Sequence, residues 1–109
     1  MALDQAIYDG LIELVGGEKV TALLDRLAAQ LTERFAGEPA SDDDRARLAR
    51  DAHAMISAAG ALGFSALSTA CQSLEAAFSA GDSIAAPLER VRASRIRALR
   101  TISVLKQAA

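Results

Sequence analysis

His53 is the only histidine in this 109-residue sequence, and it is the side chain best suited to covalent or proton-transfer chemistry. Its imidazole can act as a nucleophile or exchange a proton near neutral pH. The segment 52–74 around it contains no Asp, Glu, Lys or Arg, and the next carboxylate along the chain is Glu75. A carboxylate that accepts a hydrogen bond from Nδ1–H would select one tautomer of the ring and leave Nε2 as the nucleophile.

A contact between His53 and Glu75 requires two antiparallel helices joined by a short turn. His53 precedes Gly63 by ten residues and Glu75 follows Ser65 by ten, so a turn at 63–65 places both side chains at the same height. Each also lies one residue beyond an apolar position of its helix, which predicts a location beside the core. The spacing therefore predicts that the two side chains meet on a helical hairpin.

Apolar residues recur in four segments at the spacing that one buried face of an α-helix requires. The four sets are Val20, Leu24, Leu27, Leu31 and Phe35; Leu48, Ala52, Met55, Ala59 and Leu62; Leu67, Cys71, Leu74 and Phe78; and Leu88, Val91, Ala98, Leu99, Ile102 and Leu105. Glycine and proline divide the chain into helices predicted over residues 3–15, 18–36, 41–62, 65–80 and 87–106. Ser41, which with Asp44 resembles a capping box, and Ser65 are the predicted N-caps of the third and fourth helices. The sequence predicts an all-α fold, an antiparallel four-helix bundle with a short additional N-terminal helix, in one domain over 1–109.

Composition agrees with a helical fold and excludes several classes of enzyme. Alanine occupies 25 of the 109 positions and there is no Trp, a mix that favours helices over strands. A single cysteine cannot form an intrachain disulfide or a zinc site, and one histidine and one cysteine, without clustered carboxylates at ligand spacing, give no basis for a hydrolase or metal enzyme. No phosphate-binding glycine motif is present. The amino terminus lacks the basic and apolar regions of a signal peptide, so the predicted location is cytoplasmic.

Membrane insertion and nucleic-acid binding are the two other partner classes that the sequence raises. The charge-free segment 52–74 has the length of a membrane helix, but it contains several polar residues, Gly60 and Gly63, so no membrane contact is expected. The last helix carries five arginines, which the helical repeat distributes around it without interleaved aromatic residues. Residues 1–44, the acidic half, have a net charge of −7, and residues 45–109 have a net charge of +5. We therefore expect the arginines of the last helix to pair with the acidic half, and we expect no binding of nucleic acid.

The 23-residue run from His53 to Glu75 resembles the signature of histidine-containing phosphotransfer (Hpt) domains. In that family a histidine precedes a turn of small residues, a Leu-Gly pair, a leucine, often a cysteine, and a Leu-Glu pair at fixed offsets. The corresponding residues here are Leu62-Gly63, Leu67, Cys71 and Leu74-Glu75.

The resemblance implies a phosphorelay carrier that is not itself an enzyme and has no kinase domain. His53 would accept a phosphoryl group on Nε2 from an aspartate of a receiver domain and pass it to another receiver. Glu75 would orient His53, and Gln72, one helical turn earlier, would contact the phosphoryl oxygens. The implied receiver-docking surface consists of Ala54, Ile56, Ser57, Gly60 and Phe64.

The resemblance also implies what the carrier needs from its partners. It would hold no metal and no cofactor, because the receiver is expected to supply Mg²⁺ for the transfer. Its partners would be response-regulator receiver domains and a histidine kinase or hybrid kinase.

Two positions depart from the family pattern and leave a second function open. Hpt domains usually have Lys three residues after the histidine and Gly four residues after it, whereas this chain has Ile56 and Ser57. The missing lysine removes a cation that could offset phosphate charge, and Arg50, one turn before His53, could partly substitute. The alternative is an Hpt-like bundle that binds a receiver or kinase without transferring phosphate. An arginine-rich nucleic-acid binder is the third class, and salt-dependent DNA affinity would distinguish it.

Overall fold

The computed structural model describes residues 2–108, which contain five α-helices and no β-strand. The helices are α1 (Gln5–Val15), α2 (Gly17–Glu33), α3 (Asp42–Ala61), α4 (Ser65–Ala80) and α5 (Ala85–Ala108). The predicted all-α fold is confirmed, and the helix boundaries differ from the predicted ones by up to three residues. Met1 and Ala109, the ends of the predicted domain, lie outside the described residues.

Four of the helices form the bundle, and α1 is the additional one. α3 packs against α4, α4 and α2 both pack against α5, and α1 packs against α2. The molecule measures 42 × 21 × 20 Å, and α5, with 24 residues, is about 36 Å long and runs along most of it. No helix within residues 2–108 combines the length and the apolar character needed to cross a membrane.

The predicted apolar faces form the core. Every residue of the α2 and α3 sets is buried, whereas Phe78 of α4 and Leu99 and Leu105 of α5 are only half-buried at its edge. The guanidinium of Arg45 lies 5.7 Å from the centre of the Phe78 ring and covers it from the α3 side. Cys71 is fully buried, and burial raises the pKa of its thiol to about 12.

The start of α3 is capped largely as the sequence predicts. Ser41 Oγ accepts a hydrogen bond from the backbone N–H of Asp44 at 3.1 Å. The Asp44 carboxylate accepts in return from the N–H of Ala40 at 3.2 Å, one residue before the cap that a capping box would use. The three aspartates in the first turn lie at the positive end of the helix dipole.

Gly63 forms the turn between α3 and α4. Its φ is +93°, and its N–H donates to Gly60 O (3.1 Å) while the N–H of Phe64 donates to Ala59 O (2.9 Å). These two bonds are the paired bonds of a Schellman motif, which satisfies the last carbonyls of α3. α4 begins directly after the motif, so the predicted N-cap is wrong: Ser65 is the first helical residue, and Phe64 holds the cap position without a side-chain bond.

The same turn holds the beginning of α1. The N–H of Asp4 donates to Gly63 O at 2.6 Å, and the Asp4 side chain caps α1 by accepting from the N–H of Ile7. A Cβ at position 63 would lie 2.8 Å from Asp4 O, which is closer than a real contact. Gly63 therefore permits both the turn and the docking of the N-terminal segment on it.

α2 ends at Glu33, three residues before the predicted end. Arg34 is extended and Phe35 has a φ of +66°, which directs the Phe35 side chain into the core. Arg92 and Arg95 of α5 donate to backbone carbonyls at this helix end, where cations also interact favourably with the helix dipole. The accepting carbonyls belong to Leu31, Thr32, Phe35 and Gly37.

The expected pairing of α5 arginines with the acidic half is present in one case. Arg92 lies 3.5 Å from a carboxylate oxygen of Glu38, and within residues 2–108 it is the only α5 arginine in an ion pair. The arginines that reach α2 therefore serve mainly to bind its free carbonyls.

Candidate functional site

His53 lies on the outer surface of α3, beside the core as predicted. Its neighbour Ala52 is fully buried, but the His53 side chain is 80% exposed. A macromolecular partner can therefore reach the ring without any movement of the bundle.

Glu75 on α4 contacts this imidazole. His53 Nδ1 donates a hydrogen bond to Glu75 Oε2 at 2.6 Å, which is the contact that the spacing predicts. An ionised carboxylate can only accept, so Nδ1 carries the proton of the bond and the lone pair of the neutral ring lies on Nε2. The pair thus presents a nucleophilic nitrogen to the solvent.

The contact matters more for orientation than for stability. The side chains are 80% and 39% exposed, and exposed ion pairs typically contribute only about 0–1 kcal/mol. Among residues 2–108, Asp51 is the other carboxylate close to His53 in sequence, and it pairs with Arg34 at 2.6 Å. Glu75 is consequently the carboxylate that contacts the His53 ring in the structure.

Gly60 and Ser68 explain why α3 and α4 approach closely enough for this contact. The line along which α3 and α4 meet, the α3–α4 seam, includes His53 and Glu75. Gly60 follows His53 by seven residues and Ser68 precedes Glu75 by seven, so Gly60 and Ser68 face each other on the same seam, two helical turns nearer Gly63. Ser68 Oγ donates to Ile56 O at 2.8 Å, and a Cβ at Gly60 would lie only 3.2 Å from Ser68 Oγ. The seam is therefore held by a partly buried side-chain hydrogen bond.

Ser68 is the residue that the sequence interpretation missed. The interpretation placed it beside the core without assigning it a contact, yet it is 92% buried in the structure, with a relative exposure of 8%. Counting from the turn would have found it, because Gly60 precedes Gly63 by three residues and Ser68 follows Ser65 by three.

The residues of the predicted docking surface differ in their exposure. Ala54 and Ser57 are exposed, and Ile56 and Gly60 are half-buried on α3. Phe64 was assigned wrongly to this surface: its side chain is completely buried in the core, because the Schellman turn directs it inward, and it cannot contact a partner.

Two exposed polar residues, each one helical turn from His53 or Glu75, have no partner of their own in the described part of the chain. Gln72 is exposed on α4, three residues before Glu75 and on the same side of the helix, and its side chain makes no hydrogen bond within residues 2–108. Arg50 is exposed one turn before His53 and forms no ion pair within that range. Those residues also hold no group of three or more His, Cys, Asp or Glu side chains placed to bind a metal ion.

Comparison with known proteins identifies one family. The model of the Hpt domain matches residues 18–108, a range that includes His53, Glu75 and nearly all of α2 to α5. No curated protein and no solved structure matches the chain. Since the matched range covers most of the sequence and contains the exposed histidine with its carboxylate partner, this chain belongs to the Hpt domain family.

Proposed function

We propose that this protein carries a phosphoryl group on Nε2 of His53 between aspartates of receiver domains. Hpt domains support histidine phosphotransfer in two-component phosphorelays and are phosphocarriers, not kinase domains. The observation that carries the proposal for this chain is the 2.6 Å contact of Nδ1 with Glu75, which leaves Nε2 of an exposed ring as the nucleophile.

The transfer step needs no base from this chain. The Nε2 lone pair attacks phosphorus, the N–P bond forms, and the bond from phosphorus to the aspartyl oxygen breaks, so the carboxylate leaves with the electron pair. Nε2 has no proton to lose, and Nδ1 keeps its proton. The ring becomes positively charged as the bond forms, and the Glu75 carboxylate at 2.6 Å stabilises that charge.

The surroundings of the ring suit an approaching receiver. Ala54 and Ser57 are exposed, small and uncharged, so they neither obstruct nor repel a partner helix. In this proposal Ile56 and Gly60 complete the docking surface, Gln72 contacts the phosphoryl oxygens, and the receiver brings the Mg²⁺. The chain itself contributes no cofactor.

The proposal names its partners by class. They are response-regulator receiver domains, together with the histidine kinase or hybrid kinase that supplies the phosphoryl group. The proposed function implies the cytoplasmic location that the sequence predicts.

One observation favours the second candidate, a bundle that occupies a receiver or kinase without accepting phosphate. Ile56 stands where Hpt domains usually have lysine, so position 56 offers no cation to a phosphorylated ring. The two candidates differ in chemistry and share the docking surface.

The deciding experiment is incubation of the full chain with a panel of phosphorylated receiver domains, followed by intact-mass measurement. His53→Gln is the control variant. The carrier function predicts an acid-labile phosphoryl adduct on the wild type and none on the variant. Receiver binding by the wild type without any adduct would support the non-transferring bundle instead.

A further inference from the structure

The α5 helix exposes a face of arginines and apolar residues that covers nothing in the molecule. Arg92 and Arg95 are directed toward α2, but Arg90, Arg97 and Arg100 are exposed, and residues seven and three apart lie along one side of a helix. The expectation that all five arginines scatter around the helix is therefore wrong for these three. The basic face consists of Arg90, Ala93, Ile96, Arg97, Arg100 and Val104, all exposed. The exposed Glu89, seven residues before Ile96, lies on the same side, so three arginines and one carboxylate give the face a net charge of +2.

The apolar members of this face are unusually exposed. Ile96 is 47% exposed and Val104 is 64% exposed, and they are two of the large apolar residues left on the surface. None of the three arginines forms an ion pair within residues 2–108, and Arg97 has only a 3.4 Å bond to Ser94 Oγ. Neither the charge nor the apolar area of the face is thus used inside the fold.

α1 carries a face of the opposite charge. Ile7 and Leu14 on its outer side are 41% and 81% exposed, and Glu13 between them forms no ion pair in the described part of the chain. At Gly10 a Cβ would meet nothing within 4 Å, so another helix can approach the backbone there. The acidic face consists of Ile7, Asp9, Gly10, Glu13 and Leu14.

We propose that two copies of this chain associate through these faces, with the acidic face of α1 in one copy packed against the basic face of α5 in the other. The lengths agree: α1 has 11 residues, about 16 Å, and the basic face extends over roughly 21 Å between Arg90 and Val104. Packing the faces together covers Leu14 and Val104, the most exposed of the large apolar side chains, and sets carboxylates against arginines.

A second copy fits the basic face better than a nucleic acid does. A phosphate backbone would neutralise the three arginines but would leave Ile96 and Val104 in water, and the face offers no aromatic side chain for base stacking. The acidic face supplies both kinds of contact at once. His53 and Glu75 lie on α3 and α4, so association leaves the phosphotransfer site accessible, and the inference stands independently of the proposed function.

The association is weak and salt-dependent. One pair of helices is smaller than the roughly 1,600 Å² of a standard stable interface, so association occurs only at high concentration. Because the two faces differ, each copy in a pair keeps one face free, and association can continue beyond the dimer. The charges are near the surface, so salt screens them.

Sedimentation velocity on the full chain tests the proposal. Between about 10 and about 500 µM protein in low salt, the weight-average mass should rise above the 11.4 kDa of the monomer. Raising NaCl from about 50 to about 500 mM should reverse much of that rise. Arg100→Glu should weaken association about tenfold, because it replaces an attraction with a repulsion.

Matched variants separate the specific contact from net charge. Lys19→Glu makes the same charge change on an exposed residue of α2 that lies outside both faces, and it should leave association within about twofold of wild type. Glu13→Arg alone should weaken association, and Glu13→Arg combined with Arg100→Glu should restore it. Leu14→Ser tests the apolar part of the contact and should also weaken association.

Three results would overturn the proposal. The first is a mass of 11.4 kDa at every concentration. The second is equal weakening by Lys19→Glu and Arg100→Glu. The third is a chain that stays monomeric and binds duplex DNA with a salt dependence that Arg90, Arg97 and Arg100 determine. Far-UV circular dichroism on each variant confirms that the helices are retained.

Discussion

Replacing Gly63 with alanine tests whether one glycine serves both the α3–α4 turn and the docking of α1. An L-residue at the observed φ of +93° costs roughly 1–2 kcal/mol. The added Cβ would also lie 2.8 Å from Asp4 O, so the N-terminal segment must move and the 2.6 Å bond from Asp4 N–H to Gly63 O is lost or stretched. That bond adds about 1 kcal/mol, and we expect Gly63→Ala to lower the free energy of unfolding by roughly 2–3 kcal/mol.

Gly81 offers a matched control for the backbone strain. It follows α4 with a φ of +72°, and a Cβ there would meet nothing within 4 Å. Gly81→Ala should therefore cost only the strain, roughly 1 kcal/mol. Urea titrations followed by circular dichroism measure both values. Amide hydrogen exchange adds a local readout, because protection of the Asp4 N–H should be lost in Gly63→Ala and kept in Gly81→Ala.

Equal losses of stability in the two variants would refute this reasoning. So would an unchanged Asp4 amide in Gly63→Ala, because the clash with Asp4 O would then be relieved without moving the N-terminal segment. A larger loss in Gly81→Ala would show that the turn after α4 is the more constrained one.

Three further predictions concern the site and the core. Glu75→Gln should change the free energy of unfolding by less than about 1 kcal/mol. It should, however, slow phosphorylation of His53 and change the ratio of imidazole tautomers measured by ¹⁵N NMR. An unchanged tautomer ratio would contradict the orienting role of Glu75. Burial raises the pKa of Cys71 from 9.0 to about 12, so above pH 9 the unfolded chain loses this proton before the folded one and stability falls with rising pH. Urea titrations at about pH 8 and about pH 10 should show that fall in wild type and less of it in Cys71→Ala. Ser57→Arg should block phosphoryl transfer from receivers with the helical content unchanged, whereas Ser73→Arg, on another side of α4, should not; wild-type transfer by Ser57→Arg would argue against this docking surface.

The His53–Glu75 contact could be predicted because it depends on counting alone. Once a turn is placed at Gly63, the rise per residue is the same in both helices, so equal distances along the chain from the turn give equal heights. The apolar sets of α2 and α3 were predictable for the same reason, since helical periodicity alone decides which residues point inward. The same counting from the turn would also have predicted that Gly60 and Ser68 face each other.

The features that could not be predicted depend on distant parts of the chain. Nothing in the local sequence of Arg34 and Phe35 ends α2 early. The helix can stop there because Arg95 binds carbonyls of its last turn and Arg92 binds carbonyls of the residues that follow. The burial of Phe64 depends on the direction in which the chain leaves the Gly63 turn. Sequence periodicity separates Arg90, Arg97 and Arg100 from Arg92 and Arg95, but it could not show that the second pair binds carbonyls at the end of α2.

The arginine bonds at the end of α2 also bear on the order of folding. Arg92 and its acceptor Phe35 are 57 residues apart, and Arg95 and Leu31 are 64 apart, so these contacts close long loops. The side-chain capping of the α2 end therefore needs α5 in place, whereas the α3–α4 hairpin consists of contacts that are close in sequence and is expected to form earlier. During synthesis, the carbonyls at the end of α2 stay hydrated until residues 92–95 have left the ribosome. Capping one helix with side chains of a distant helix thus predicts that the α2 end is completed after the hairpin that carries His53 and Glu75.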